Sequence, residues 1–224
     1  MRRKAPEATR AAILEAAFRA FCEQGYEATT VAQLLRESGL SKGAFYHHFE
    51  SKEEVLDAVI ERITEGALAQ VTAQVDAAGE DALAQLECFV SASRRWRSEN
   101  VPALRMLLPL VQRSDAAVLL DKLHRRALDA TTPLLAGVLR RGVEDGVFDV
   151  PDPVETARQL LQLGQLVGRD QARDLQRGAT KAILARADAY LLHVERVVGI
   201  DDGSLSRPSR HLVTKLTRAL RSDA

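Results

Sequence analysis

The sequence is poor in the residues that build sheets and disulfide scaffolds. Aromatic residues make up only 4% of the 224 residues, and there are only two cysteines. Most of the apolar residues are Ala, Leu and Val, a composition that favours packed helices over sheets. Cys22 and Cys88 stand alone in apolar helical sequence, so we expect both to be inert packing residues in a reducing compartment.

The chain also lacks long uncharged apolar runs. No stretch of about 18 such residues occurs, and the charged N terminus has no apolar segment of signal-peptide length. We therefore expect a soluble, cytoplasmic protein without a membrane partner. The net charge is zero, from 31 basic and 31 acidic residues, so nothing global attracts the protein to a polyanion. Any nucleic-acid binding must come from a local patch.

Motifs that carry enzyme chemistry are missing. There is no P-loop, glycine-rich dinucleotide turn, metal-spaced cluster or nucleophile motif. The adjacent His47 and His48 point about 100° apart on a helix and have no third ligand at a suitable spacing, which disfavours a metal site. We therefore predict no catalytic residue, no metal and no cofactor.

Helical patterns fill the first 50 residues. An apolar stripe of helical period predicts a helix over about Ala8–Gln24, ended by Gly25. Thr30 and Gln33 have the spacing of a capping box, which predicts a short helix to about Ser38. Gly39 then breaks the pattern, and Ser41 can cap a second short helix over 42–48. Two short helices joined by a glycine turn predict a helix-turn-helix.

The remaining sequence is also helical in pattern. Ser51 and Glu54 form a second capping box, which opens a long helix ending near Gly79. We expect the later helices around Leu83–Trp96, after Pro102, and over about 115–141, 153–171, 180–198 and 211–221. The segment from 199 to 224 is either an ordered extra helix or a partly mobile tail.

The predicted fold is therefore all-α. An N-terminal three-helix domain (1–50) that contains the helix-turn-helix is joined to a larger helical domain (51–224), with about nine helices in all plus the extra C-terminal helix.

The helix-turn-helix segment closely resembles the DNA-binding signature of the tetracycline-repressor (TetR) family. The resemblance lies in Thr29-Thr30-Val31-Ala32-Gln33, in the run from Ser38 to Phe49, and in Ser51-Lys52-Glu53, and it covers about residues 8–58 without gaps. It implies a repressor that binds a palindromic operator as a homodimer and is released by a small molecule. The alternatives are a helical adaptor or enzyme without DNA binding, and a regulator that activates or answers to a protein partner.

The second short helix must bury one face and show the other to DNA. Phe45, Phe49 and Leu40 can only form the buried face, which leaves the polar and small residues outward. In the resembled family, the positions of Thr30, Tyr46, His48 and Lys52 contact the DNA backbone, and those from Lys42 to His47 read bases. The predicted DNA-binding residues are Thr30, Ser41, Lys42, Gly43, Ala44, Tyr46, His47, His48 and Lys52.

The basic N terminus adds a further possibility. Residues 1–48 carry seven basic and five acidic side chains, with Arg2, Arg3 and Lys4 at the start. This arm either enters the adjacent minor groove or is a solvated charge cluster.

The resemblance also implies a ligand pocket between the long fourth helix and the next three. The candidate ligand-binding residues for a largely apolar effector are Phe89, Trp96, Met106 and His124, although each is also a plausible core residue. The arginines 94, 95 and 97 either meet an acidic effector or form a solvated face.

The last two long helices of the main body are expected to pair with their copies as a four-helix bundle. The candidate interface residues are Ala157, Leu160, Leu161, Gly164, Gly168, Leu191 and Val194. The alternative is that these stripes face only the intrachain core.

Overall fold

The computed structural model describes residues 6–103, 106 and 117–221. Within them the chain forms nine helices and no strand, which confirms the all-α prediction. The helices are α1 Pro6–Gln24, α2 Val31–Ser38, α3 Lys42–Tyr46, α4 Lys52–Ala77, α5 Ala82–Glu99, α6 Ala117–Glu144, α7 Pro153–Arg177, α8 Thr180–Val198 and α9 Arg210–Arg221. The helix predicted after Pro102 lies largely outside the described residues.

The predicted caps set the ends of the first helices. Thr30 Oγ1 accepts the Gln33 backbone N–H at 3.3 Å, while Gly39 adopts φ 66° after α2, a conformation that costs glycine little. The side-chain amide of Gln33 donates to the Glu37 carboxylate one turn further along α2, at 3.0 Å.

The cap of α4 is reciprocal in a shifted form. Ser51 Oγ accepts the Glu54 N–H at 3.1 Å, and the Glu54 carboxylate accepts the N–H of Glu50 at 2.6 Å. Both bonds satisfy donors that the first turn of a helix leaves free, so they fix where α4 begins.

The first four helices share one hydrophobic core. Phe21 of α1, Leu34 of α2, Phe45 of α3 and Val55 of α4 are all fully buried in it. Because α3 has only five residues, its inner face depends on this core for its position. Cys22 packs at the edge of the same core, and burial raises the pKa of its thiol to about 11.

A second core lies between the later helices. It joins Val75 of α4, Leu86 of α5, Leu139 of α6 and Leu191 of α8. Since α4 supplies Val55 to the first core and Val75 to the second, this helix runs between the two. The division into domains at residue 50 stays a prediction.

The C-terminal segment ends in an ordered helix. Val213 of α9 packs on Leu175 of α7 and Ile183 of α8. The connecting loop is held by Glu195, a fully buried carboxylate that pairs with the Arg207 guanidinium at 2.5 and 2.8 Å and accepts the Leu205 N–H. The choice left open by the sequence is thus settled for residues up to 221.

Candidate nucleic-acid interface and ligand cavity

The short helix α3 presents a polar face above an aromatic anchor. Phe45 is fully buried and Phe49 is 2% exposed, while Tyr46 is 47% exposed. The helix ends at Tyr46 rather than at the predicted His48. A tighter final turn follows, in which the His48 N–H donates to the Phe45 carbonyl at 2.8 Å.

The sequence-predicted DNA-binding residues lie on the outside of this region. Thr30, Ser41, Lys42, Gly43 and His47 are exposed, and Ala44 and His48 are half-buried. A side chain at Gly43 would meet no atom within 4 Å, so the helix backbone is open to close approach there. The Lys42 ammonium lies over the Tyr46 ring, 5.8 Å from its centroid.

The cap hydroxyls remain able to donate. Thr30 and Ser41 each accept a backbone N–H with the side-chain oxygen. That acceptance leaves the hydroxyl hydrogen free to point outward. Both side chains are therefore suited to donate a hydrogen bond to a phosphate oxygen.

Lys52 lies at the start of α4, as predicted, but its ammonium makes contacts within the protein. Its Nζ donates to the carbonyls of Tyr26 and Thr29, both at 3.0 Å, and lies 4.1 Å from the centroid of the Tyr26 ring. The Tyr26 hydroxyl in turn donates to Glu53 at 2.9 Å. The Glu53 backbone N–H and this hydroxyl hold the pKa of the Glu53 carboxyl below its usual value.

These contacts tie the start of α4 to the loop between α1 and α2. Two of the three ammonium hydrogens of Lys52 are committed to carbonyls. The local sequence pattern did not predict this role, since its partners lie more than 20 residues upstream.

A cavity of about 490 Å³ lies among helices α4 to α9. Its wall is mostly apolar and includes Phe89 and Trp96, as the sequence predicted. Trp96 is the only tryptophan of the chain. A cavity of this size and lining is typical of small-molecule sites.

Two predicted ligand-binding residues lie elsewhere. Met106 is 3% exposed and packs in the first core, beside residues of α1 and α4. His124 does not line the cavity either; its carbonyl accepts a hydrogen bond from Gln165 at 3.0 Å. Burial, aided by the positive charge of Arg169, lowers the pKa of the His124 imidazole.

The candidate interface residues face inward within one chain. Ala157, Leu160 and Val194 are at most 2% exposed in the second core. The remaining four line the cavity, namely Leu161, Gly164, Gly168 and Leu191. Within one chain these stripes face the second core and the cavity, and the dimer contact stays a prediction. Leu166 of α7, 54% exposed, lies on the outer face of that helix.

Several cavity residues escaped the sequence analysis. Gln171 and Tyr190 line the wall, and Leu212 and Val213 of α9 complete it. The Tyr190 hydroxyl donates to the Leu160 carbonyl at 3.2 Å, and burial raises its pKa to about 12. The strongly amphipathic pattern of the last helix was the available signal that its apolar face covers something.

The described residues contain neither a metal-binding cluster nor a membrane-spanning helix. No group of three or more His, Cys, Asp or Glu side chains there is arranged to hold a metal ion. None of the helices in the described ranges is long and apolar enough to cross a membrane.

Comparisons with known proteins agree with this arrangement. Residues 13–59 match the family model described as bacterial regulatory proteins, tetR family. The chain is 29% identical to the HTH-type transcriptional repressor KstR2 of Rhodococcus jostii over 156 residues, which cover 68% of this chain and 74% of that protein. It is 28% identical to the HTH-type transcriptional regulator UidR of Escherichia coli over 182 residues, 80% of this chain and 90% of that protein.

Solved structures share the fold. A TetR-family regulator from Pectobacterium atrosepticum superposes with a TM-score of 0.64 at 24% identity, covering 93% of this chain and all of that one. SmeT, the repressor of the Stenotrophomonas maltophilia multidrug efflux pump SmeDEF, gives 0.64 at 20% identity, covering 92% and 96%. The N-terminal segment of the chain therefore matches the DNA-binding part of the tetR family of bacterial regulatory proteins, and the comparisons support a helix-turn-helix transcriptional regulator that binds DNA.

Proposed function

We propose that the protein is a repressor that binds a palindromic operator as a homodimer and leaves it when a small molecule fills the cavity. The main support for this proposal is that the polar face of α3 is exposed, while the rings of Phe45 and Phe49 beneath it are buried. A helix anchored in this way is suited to lie in the major groove.

Within this proposal, the outward residues divide by what they touch. Lys42 and His47 reach base edges, where a lysine favours the acceptors of guanine. Thr30, Ser41, Tyr46 and His48 donate to phosphate oxygens, and Gly43 and Ala44 let the backbone approach. Lys52 mainly supports the position of these residues and does not contact DNA itself, because its ammonium donates to the Tyr26 and Thr29 carbonyls.

A two-fold dimer supplies the second recognition helix. One helix-turn-helix covers about half a site, so useful operator affinity needs two copies about 34 Å apart on the duplex. We place the contact on the outer faces of α7 and α8, which carry exposed side chains such as Leu166, Ala185 and Ala189.

The coupling element in this mechanism is α4. Its first residues belong to the first core, and Thr64, Leu68 and Val71 further along form part of the cavity wall. A ligand that binds better to a form with mismatched recognition helices shifts the population away from DNA.

Selection of bound DNA from a random pool tests the DNA-binding half of the proposal. We expect enriched sites with two-fold symmetry, bound with an affinity that falls as salt rises. An adaptor or enzyme without DNA binding predicts no specific complex. Enrichment of sites without symmetry would contradict the dimer.

Operator affinity with and without a bound effector tests the release mechanism. A library of small apolar compounds is first screened for quenching of Trp96 fluorescence, and each binder is then added to the operator complex. We expect binders to weaken the complex; equal affinity with and without them would contradict release.

A further inference from the structure

One charged side chain lies in the described part of the cavity wall. It belongs to Arg94, and the other described lining residues are mostly apolar. The Arg94 side chain is 17% exposed. A cation this close to an apolar cavity selects for an anion, because a neutral ligand would bury the charge further without compensation.

Arg94 is only weakly paired in the described structure. Its ion-pair partner among the described residues is Glu87, at 3.7 Å between Nη2 and Oε1. The other oxygen of Glu87 accepts the N–H of Ser206 at 2.9 Å, so this carboxylate is shared with the loop before α9. An arginine can bind a carboxylate through two parallel N–H donors, and this geometry is not used by Glu87. The guanidinium thus keeps donors for a ligand.

A second polar group faces the same cavity. Gln171 of α7 is 8% exposed, lines the wall, and has no hydrogen-bond partner among the described residues. Burying an amide without a partner is costly. Because Gln171 lines the cavity wall, a ligand oxygen in the cavity can accept a hydrogen bond from this amide and recover that cost.

We propose that the cavity binds an apolar carboxylic acid whose carboxylate pairs with the Arg94 guanidinium. The inference rests on the proposed effector-binding role of the cavity and names the chemical class of that effector. One cation and a mostly apolar wall favour one carboxylate on a hydrocarbon body over a dianion or a sugar. Gln171 donates to, or accepts from, a second polar atom on that body.

Matched pairs of probes test the charge requirement directly. Decanoate is compared with decanol, and cyclohexylbutyrate with cyclohexylbutanol, by quenching of Trp96 fluorescence at neutral pH. We expect each acid to bind about tenfold or more tightly than its alcohol, as a charge-assisted hydrogen bond implies. If no acid binds better than its alcohol, the proposal is overturned.

Variants then assign the preference to Arg94. Arg94→Gln should weaken acid binding about tenfold to hundredfold and leave alcohol binding unchanged. Arg95→Gln is the matched control, since Arg95 is exposed and does not line the cavity, and it should keep the full preference. Equal losses in both variants would reject Arg94 as the binding residue. Arg94→Lys keeps the charge and should retain part of the preference if Arg94→Gln folds poorly.

The same experiment separates this inference from the proposed function. Alcohols that bind as tightly as acids and still release the operator would leave the repressor mechanism standing and remove the carboxylate. Failure of every probe to bind, with operator affinity unchanged, would count against both.

Discussion

Single side chains on α3 carry the sequence preference in the proposed complex. Lys42→Ala should relax base preference, with a loss of about 1–3 kcal/mol confined to sites that hold the preferred base. Tyr46→Phe removes one phenolic donor and should weaken all sites alike, by about 0.5–1.5 kcal/mol. Mobility shifts on the selected operator and on base-substituted versions, at one salt concentration, measure both. Uniform losses for both variants would contradict this division.

Lys52 offers a sharper test, because internal support and a direct phosphate contact predict different salt dependences of operator affinity. Lys52→Met keeps an apolar stem and removes the ammonium that holds the Tyr26 and Thr29 carbonyls. We expect the free energy of unfolding to fall by about 1–3 kcal/mol, and operator affinity to fall with an unchanged salt slope. A direct phosphate contact would instead reduce the slope by about one. Lys42→Met, at an exposed position, is the comparison variant.

The spacing of apolar residues correctly predicted which side chains around α3 are buried and which are exposed. Phe45 and Phe49, four positions apart, could share only one face, and both are buried. The partners of Lys52 were out of reach, because Tyr26 and Thr29 approach it only through the folding of a loop distant in sequence. Met106 was misplaced for a related reason: a buried apolar residue does not reveal which of two cores it joins.

At the scale of helices, Gly142 is where α6 is contacted by Phe148, a residue of the loop that follows this helix. A Cβ there would lie 1.9 Å from Cδ2 of Phe148, which is 5% exposed. Gly142→Ala should therefore lower the free energy of unfolding by about 1–3 kcal/mol, the usual cost of overpacking. Gly137→Ala in the same helix meets nothing within 4 Å and should raise it by about 0.5–1 kcal/mol. Urea unfolding measures both, and a neutral Gly142→Ala would contradict the close approach.

The loop before α9 depends on the ionised form of Glu195. Hydrogen bonds from Arg207, followed by the N–H of Leu205, lower the pKa of this carboxyl from 4.5 to about 2. A lowered folded-state pKa contributes stability above the unfolded value, and this is lost as pH falls from about 4.5 towards 2. Glu195→Gln should flatten the dependence of unfolding free energy on pH in that window. The exposed Glu80→Gln serves as control, and equal slopes in both variants would refute this account.

Helix positions were largely predictable because their ends carry local chemistry. Ser51 caps the start of α4 as predicted, and the predicted bounds at residues 153 and 198 match the start of α7 and the end of α8. The end of α3 was predicted two residues late, since Tyr46 to Phe49 continue in a tighter turn that an apolar period does not distinguish. The order of α9 depends on packing against α7 and α8. Its amphipathic pattern indicates a covered face, but it does not indicate which helices cover that face.

At the scale of the whole molecule, the proposed dimer can be tested at Leu166, which we place in the contact between the two copies. Leu166→Glu places a charge on the exposed face of α7 and should convert the proposed dimer to monomers, because burying an unpaired carboxylate is costly. Val143→Glu makes the same change on an exposed valine of α6 and should leave the dimer intact. Sedimentation equilibrium measures both. A dimer that survives Leu166→Glu would move the interface elsewhere.

The overall architecture followed from helix count and order, whereas the faces of α7 and α8 did not. A stripe such as Leu160, Leu161 and Leu191 satisfies either an intrachain core or a partner, and its period is the same in both cases. In one chain these residues already border the second core or the cavity. The cavity itself arises from six helices, so only Phe89 and Trp96 of its wall were proposed as ligand-binding residues from the sequence.

The contacts of Lys52 limit how a signal can pass along α4. The ammonium of Lys52 joins the Tyr26 and Thr29 carbonyls to the first turn of α4. The helix-turn-helix therefore cannot rotate freely about residue 51 relative to α4. In the proposed mechanism, an effector bound near Leu68 therefore tilts or rotates α4 as a rigid rod, and the displacement of the recognition helix grows with its distance from the point of rotation.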